Sequence, residues 1–334
     1  MWKKYPSVSI PGTPYTMKGI SVACFNTCLY FPELNIMVDA GASSDFLVDH
    51  LMITHCHGDH VFDLHRTLIQ AEKKQPTVYV PFPSLEGITS FVKSAMMMTK
   101  GQQDPKIMKS IKFRPVTLGT RIPIKLKGQN WIIQPIKCCH SVASTGYGMI
   151  ELRNKLKPEY AECSNESIVE LKKSGISVSE MIEVPLFCVM GDTTHAVFAD
   201  PSVFSYRTII VECTFLADKD MKHAKKDKHM HWKHLKPIIL AHPANHFILI
   251  HFSARYSPDE IDEHFKKENI PNITPFIFRG TVHTGSESKC SDDHSDDGCD
   301  SSDESEHAEE SPQKMIAVDP LMTEDISTNE SKED

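Results

Sequence analysis

The sequence predicts a layered α/β protein, and three observations carry that reading. Short β-rich runs alternate with helical ones, several strand candidates follow one another early in the chain, and polar metal-seeking side chains stand where apolar runs end. Taken in order, the strand candidates are ISVACFNTCLYF, NIMVDAG, FLVDHLMIT, PTVYVP, NWIIQPIKC, PLFCVMGD, YRTIIVEC and HFILIHFS. Helical patterns cover about 62–74, 84–98, 165–174, 231–242 and 258–268. The last opens on Ser257-Pro258-Asp259-Glu260, where serine caps the helix and proline fits its first turn. No internal repeat at a fixed short period accompanies them.

With 334 residues, 40% of them hydrophobic, the chain can bury a full core. Its ten cysteines include no C-x-x-C pair, and MWKKYPSVSIPGTP has no apolar signal core, so neither a zinc finger nor a secretory leader is supported. No apolar run reaches the roughly 18 residues of a membrane-spanning helix. A cytoplasmic or nuclear location with reduced thiols is the expectation. Composition breaks near residue 281: from there to Asp334 there are 17 Asp and Glu against 3 Lys, in runs such as SDDHSDDGCDSSDESEHAEE. We therefore expect a folded domain over 1–280 and a disordered acidic tail over 281–334. The whole chain carries −8, yet residues 1–280 alone hold 33 Lys and Arg against 27 Asp and Glu. That reversal leaves a nucleic-acid partner open for the domain.

The stretch THCHGDH, residues 54–60, packs three histidines and an aspartate behind the apolar run FLVDHLMI. His55 and His57 point the same way if the backbone is extended, and Asp59 and His60 follow as it turns. Imidazole and carboxylate together suit a first-row ion, zinc above all. One tetrahedral ion cannot comfortably take four ligands from six consecutive residues, which suggests two ions sharing the set. Further donors appear at strand ends: His140 after WIIQPIKCC, Asp192 after PLFCVMG and His251 after HFILI. A lone strand-end histidine is more often a solvated or core residue, but these three together supply the missing number.

At these residues the sequence resembles the metallo-β-lactamase superfamily, and specifically the ribonuclease Z family of tRNA 3′-processing endonucleases. The resemblance runs from about residue 12 to 280 and includes TCLYFPELNIMVDAG, HSVASTGYGM, VMGDTTHAVF, VECTFLADKD and LIHFSARYS. It is closest to the short form found in plants. H-x-H-x-D-H marks only the superfamily, whereas GDTT, ECTF and HFSARY in that order are far more specific. The resemblance implies a four-layer αββα sandwich and two zinc ions per chain. His55, His57 and His140 would bind one ion, Asp59, His60 and His251 the other, with Asp192 bridging. Two such ions can activate a water and neutralise a phosphoryl group, so no Ser or Cys nucleophile is needed and Cys56 is a neutral filler.

Glu212 in VECTF and His229 in KHMHW match the family's Glu and His pair, which could orient a ligand or protonate the departing 3′ oxygen. His231 competes with His229 for that role, and Val211 and Cys213 stand where the family often has His and Ala. With Asp59, this pair makes up the candidate catalytic set. For RNA phosphates the candidates are Lys225, Lys226 and Lys228, within KDMKHAKKDKHMHWKHLK, and Arg255, which could instead brace Asp192 or another carboxylate. A Lys-rich helix is otherwise simply a solvated face. Residues 151–187 leave little room for the long Gly- and Pro-rich arm of many family members, so Lys155, Lys157, Lys172 and Lys173 would grip substrate instead, or RNA preference is relaxed. The implied function is zinc-dependent removal of the 3′ trailer from precursor tRNA, by a homodimer away from membranes. Hydrolysis of a cyclic nucleotide or other small phosphodiester is one alternative, and an inactive metal-stabilised RNA-binding scaffold another.

Overall fold

Two β-sheets face each other, and helices cover both outer faces. The computed structural model describes residues 2–44, 46–70, 75–102 and 109–280; the acidic stretch 281–334 lies outside the described residues. The first sheet runs in the order β1 (Ser7–Ser9), β2 (Thr16–Ala23), β3 (Asn26–Phe31), β4 (Ile36–Val38), β5 (His50–Met52), β6 (Thr77–Pro81) and β7 (Lys112–Val116). The second contains β8 (Ile122–Leu126), β9 (Gln129–Cys138), β10 (Ser144–Leu156), β11 (Ser179–Val189), β12 (Thr208–Glu212) and β13 (His246–Ile250). Next in the chain, β14 (Phe252–Ser253) pairs with β2 in the first sheet, and β15 (Ile273–Pro275) edges the second beside β13.

Strand alternation builds the layers. Ile36, Val38 and Met52 point between the sheets, where they meet Ile133, Phe187, Ile210 and Ile248. Their neighbours Met37 and Leu51 point the other way, onto α2 (Leu64–Gln70) and α3 (Leu85–Lys100) through Leu64, Leu68, Val92 and Met96. On the second sheet Ile209, Val211, Phe247 and Leu249 turn outward to Trp232 and Leu235 of α6 (Trp232–Ala241) and to Ile261 and Phe265 of α7 (Pro258–Glu268). Three apolar interlayers therefore separate four layers, the αββα sandwich that the sequence implied. Each fully buried Ile, Leu or Phe contributes about 1.5–3 kcal/mol to holding the layers together.

Local signals account for the ends of these elements. α7 opens with a capping box: Ser257 Oγ accepts from the Glu260 amide at 3.2 Å, and Glu260 returns the bond to the Ser257 amide at 2.7 Å. Five strands, β1, β7, β8, β10 and β15, lie outside the runs that read as strands in the sequence. In β10 the cause is visible, because Gly146 and Gly148 interrupt its apolar pattern. A Cβ on Gly148 would stand 1.9 Å from the Tyr206 hydroxyl, so packing selects the glycine. Phe46 to Asp49, read as part of a strand, stay outside β5.

The segment 151–187 is also more structured than its sequence suggested. Beyond Glu151 the strand β10 loses its pairing with β9 and continues with β11 alone, from Leu152 opposite Glu183 to Leu156 opposite Ser179. Helix α4 (Asn165–Lys173), capped by Ser164, closes this two-stranded ribbon. The chain thus carries a small arm, on which Lys155, Lys172 and Lys173 are exposed. No helix among the described residues is long and apolar enough to cross a membrane.

Candidate metal centre

The site forms at one edge of the sandwich, where strands from both sheets end. After β5 the chain stays extended through His57, then winds into the single turn α1 (Gly58–Val61), which carries Asp59 and His60. Gly41 permits this loop to close on the first sheet, since a Cβ there would lie 1.7 Å from the Asp59 carbonyl. From the second sheet His140 follows β9, Asp192 follows β11 and His251 follows β13. The chain order β9, β11, β13 delivers all three at the same edge.

Two groups of donor atoms result. His55, His57, His140 and Asp192 form one, and Asp59, His60 and His251 the other, each with its ligand atoms within 4.8 Å of one another. His57 Nδ1 lies 3.2 Å from both His55 Nε2 and His140 Nε2. His60 Nε2 is 3.3 Å from His251 Nε2, which is 3.4 Å from Asp59 Oδ2. A single oxygen of Asp192, Oδ2, stands between the groups, 3.6 Å from His55 Nε2 and 3.5 Å from the Nε2 atoms of His60 and His251.

These spacings fit a metal. Two donors about 2.0–2.1 Å from one tetrahedral zinc are separated by about 3.3–3.4 Å. The outer faces of the imidazoles give independent support. Nδ1 of His140 faces the Lys228 carbonyl at 3.0 Å, and that of His60 faces Asp39 Oδ2 at 2.8 Å. Nδ1 of His55 faces Thr54 Oγ1 at 3.0 Å, and that of His251 faces Thr214 Oγ1 at 3.1 Å. Against a carbonyl and a carboxylate, Nδ1 of His140 and of His60 donates outward, which leaves the Nε2 lone pair pointing inward. Several inward lone pairs 3–4 Å apart repel unless a cation lies among them.

The electrostatics agree. Burial alone would raise the Asp59 carboxyl, yet its hydrogen bond to His251 and the charges of His60 and His251 hold it well below the usual range. Asp192 is likewise driven far down against its burial by His251 and His60. Burial pulls His55, His57 and His140 below the ordinary imidazole value, which keeps them neutral and ready as ligands. His60 goes the other way: burial opposes its charge, but Asp192 and Asp39 overcome that. The carboxylates thus demand positive charge at this point, which a metal ion provides.

Around this set lie residues that the sequence reading left out. Asp39 is 1% exposed and holds His60, the Thr54 amide and the Thr54 hydroxyl. The Cys24 amide donates to Asp59 Oδ2 at 3.0 Å. Cys24, Asp39, Lys228 and His251 all have left-handed backbone, with φ between 55° and 62°. Such strain in non-glycine residues concentrates at functional sites. Asp39 had a usable signal, since it ends the strand run NIMVDAG; the amide of Cys24 and the hydroxyls of Thr54 and Thr214 had none.

Glu212 ends β12 with no exposure at all. Its carboxylate accepts from the Thr193 amide at 2.7 Å, the Met230 amide at 3.0 Å, Thr214 Oγ1 at 2.5 Å and His229 Nδ1 at 3.0 Å. Its sites are all taken by the protein, and His229 is the imidazole it holds directly. That imidazole, despite the opposing effect of burial, is raised to about 9 chiefly by Glu212. It lines a cavity of about 450 Å3 with Cys24, Asp227 and Arg255, and another of about 400 Å3 with His195, Lys225 and His234. His231 is excluded from this role: it is fully buried, caps α6 through the Lys233 amide and donates to the Ala217 carbonyl. His229 also lies within reach of Asp192 and His251 as a third possible donor group, but its Nδ1 is already committed to Glu212.

Arg255 braces a carboxylate other than Asp192. Its Nη1 donates to Asp220 at 3.1 Å and its guanidinium lies over the Phe215 ring, while about half of the side chain stays exposed at the cavity. Lys225 and Lys226 are exposed on α5 (Met221–Asp227), and Lys228 is its left-handed C-cap. The basic segment is thereby tied to the centre, because the Lys228 carbonyl orients His140.

No protein-family model matches the chain. In overall structure it is similar to the metallo-beta-lactamase fold protein YhfI from Bacillus subtilis, with a TM-score of 0.52 over 78% of this chain and 95% of that one, at 14% identity. The fold is therefore that of the metallo-β-lactamases, and it carries a His and Asp donor set that could hold metal ions. In sequence the chain is similar to the ribonucleases Z. It is 28% identical over 260 residues to tRNase Z TRZ2, chloroplastic, of Arabidopsis thaliana, covering 75% of this chain and 70% of that protein. It is 27% identical over 270 residues to tRNase Z TRZ1 of the same plant, covering 78% and 92%.

Proposed function

We propose that the chain is an endoribonuclease that removes the 3′ trailer from precursor tRNA, using two zinc ions. The observation that carries this reading is the convergence of seven donors into two groups around one oxygen of Asp192. The similarity to the two tRNase Z proteins supplies the substrate class. Bound at the two groups, zinc supplies the charge that activates a water and neutralises the phosphoryl oxygens.

The chain's own residues do the rest. His55, His57 and His140 with Asp192 would hold one ion, and Asp59, His60 and His251 with Asp192 the other. His229 stands at the wall of the neighbouring cavities, held by Glu212, where it would give a proton to the departing 3′ oxygen. Exposed Lys225, Lys226 and Lys228 would take backbone phosphates beside it, and the exposed part of Arg255 another. Lys155, Lys172 and Lys173 on the ribbon offer a second basic surface for a substrate as large as tRNA. A homodimer belongs to the same reading and is checked by light scattering.

The test incubates purified full-length protein with a precursor tRNA bearing a 3′ trailer, with and without chelator. Cleavage should leave a 3′-hydroxyl on the tRNA and a 5′-phosphate on the trailer, and should stop with chelator. Elemental analysis should find close to two zinc ions in active protein. Hydrolysis of cyclic nucleotides with no cut in the precursor would favour a small-phosphodiester enzyme, and RNA binding without any hydrolysis would favour a scaffold.

A further inference from the structure

Two buried carboxylates in this molecule are wired to histidines in the same way. On the first sheet Asp39 binds His60 directly at 2.8 Å; through Thr54, whose hydroxyl donates to it at 2.8 Å, it also reaches His55, whose Nδ1 is 3.0 Å from that hydroxyl. On the second sheet Glu212 binds His229 directly at 3.0 Å; through Thr214, whose hydroxyl donates to it at 2.5 Å, it also reaches His251, whose Nδ1 is 3.1 Å from that hydroxyl. Both carboxylates also accept backbone amides, from Thr54 and from Thr193 and Met230. Asp39, Thr54, Glu212 and Thr214 are each 2% exposed or less.

From this paired geometry we infer that Thr54 and Thr214 are positioning residues, each fixing the tautomer of one candidate metal ligand by relaying the charge of a buried carboxylate. The inference rests on the metal reading above. A hydroxyl has one proton to give and two lone pairs to offer. Thr214 Oγ1 also lies 3.0 Å from the His251 carbonyl, but the carboxylate at 2.5 Å is the nearer and charged acceptor and takes the proton. The oxygen then faces His251 Nδ1 with a lone pair, so Nδ1 must carry the ring proton. The Nε2 lone pair is left toward His60, Asp59 and Asp192. The negative charge of Glu212, felt through the hydroxyl, makes that lone pair a better donor. Thr54 does the same for His55, whose Nε2 faces His57 and Asp192.

Because the relays serve different donor groups, each threonine controls one ion. The experiment challenges zinc-loaded full-length protein with graded chelator and measures the zinc retained per chain. Thr214→Val keeps the shape and removes the hydroxyl; one of the two ions should be held about 10–100-fold more weakly, as loss of a ligand's outer partner does, with the other unchanged. Thr214→Ser, which keeps the hydroxyl, should restore retention close to the parent. Thr54→Val should weaken one ion in the same way, and the double variant should weaken both. Circular dichroism checks that each variant folds, and Thr214→Ala replaces Thr214→Val if the valine does not. Two ions held as tightly as in the parent by Thr214→Val, or a serine variant as weak as the valine one, would overturn the relay while leaving the metal reading intact. A parent protein that retains no zinc would overturn both.

Discussion

The carboxylate hubs on the two sheets share one pattern, a histidine held directly and a second reached through a threonine hydroxyl, but differ in what the directly held histidine does. Asp39 holds His60, which faces Asp192, Asp59 and His251 as a donor. Glu212 holds His229, whose Nδ1 is 3.8 Å from Asp192 Oδ2 and already bonded to Glu212 at 3.0 Å, and whose ring borders two cavities. On the proposed reading, the same wiring would present a ligand on one side and a proton donor on the other. A site assembled from two similar halves gains chemistry where one half departs from the other.

The largest expected effect comes from removing the residue the halves share. Asp192→Ala should reduce cleavage to background and leave fewer than two zinc ions per chain, measured by elemental analysis, because its Oδ2 serves both groups. His57→Ala should also abolish cleavage while the far-ultraviolet spectrum stays that of a folded protein. Two ions retained by Asp192→Ala would show that the groups are independent.

The twin histidines give the sharper test of the comparison. His60→Ala should lose zinc along with activity. His229→Ala should keep both ions and bind RNA as the parent does, while the cleavage rate falls by about 10²-fold or more. Glu212→Ala should lower the rate similarly, with little change in RNA affinity. It should also melt earlier, since it strands the Thr193 and Met230 amides at about 1–3 kcal/mol each. If Glu212→Ala cuts at the parent rate, Glu212 merely closes the end of its strand.

Much of this site was legible in the sequence because a metal donor must be one of few residue types and must stand where a strand releases the chain. His55, His57, His140, Asp192 and His251 meet both conditions; the layered α/β class was legible in the succession of strand and helix runs, whereas the four-layer sandwich was implied by the family resemblance. The hubs were less legible. Thr54 and Thr214 sit inside THCHGDH and ECTF, but a threonine hydroxyl acquires its role only when the sheets bring a carboxylate and an imidazole to either side of it. Arg255 shows the same limit: the sequence places a cation near the centre, and only folding assigns it to Asp220. The ribbon of β10 and β11 was missed because its outer residues, Arg153 to Lys155 and Glu180 to Glu183, lack the apolar pattern that marks a buried strand.

The smallest effects should come from the basic surfaces, and they sharpen the comparison in another way. Lys225, Lys226 and Lys228 lie beside His229, whereas Lys172 and Lys173 lie on α4 at the end of the ribbon. Neutralising one phosphate contact flattens the dependence of log affinity on log salt by about 0.7–0.9. Replacing Lys225 and Lys226 by alanine should therefore weaken precursor binding at low salt and flatten the slope by about twice that amount, with little change in the rate at saturating RNA. The pair Lys172→Ala and Lys173→Ala tests reach. A full-length tRNA extends well beyond the centre and should lose affinity, while a short RNA carrying only the cleavage site should not. Equal losses for both substrates would mean that the ribbon contributes general positive charge, and no loss for either would mean that substrate never touches it.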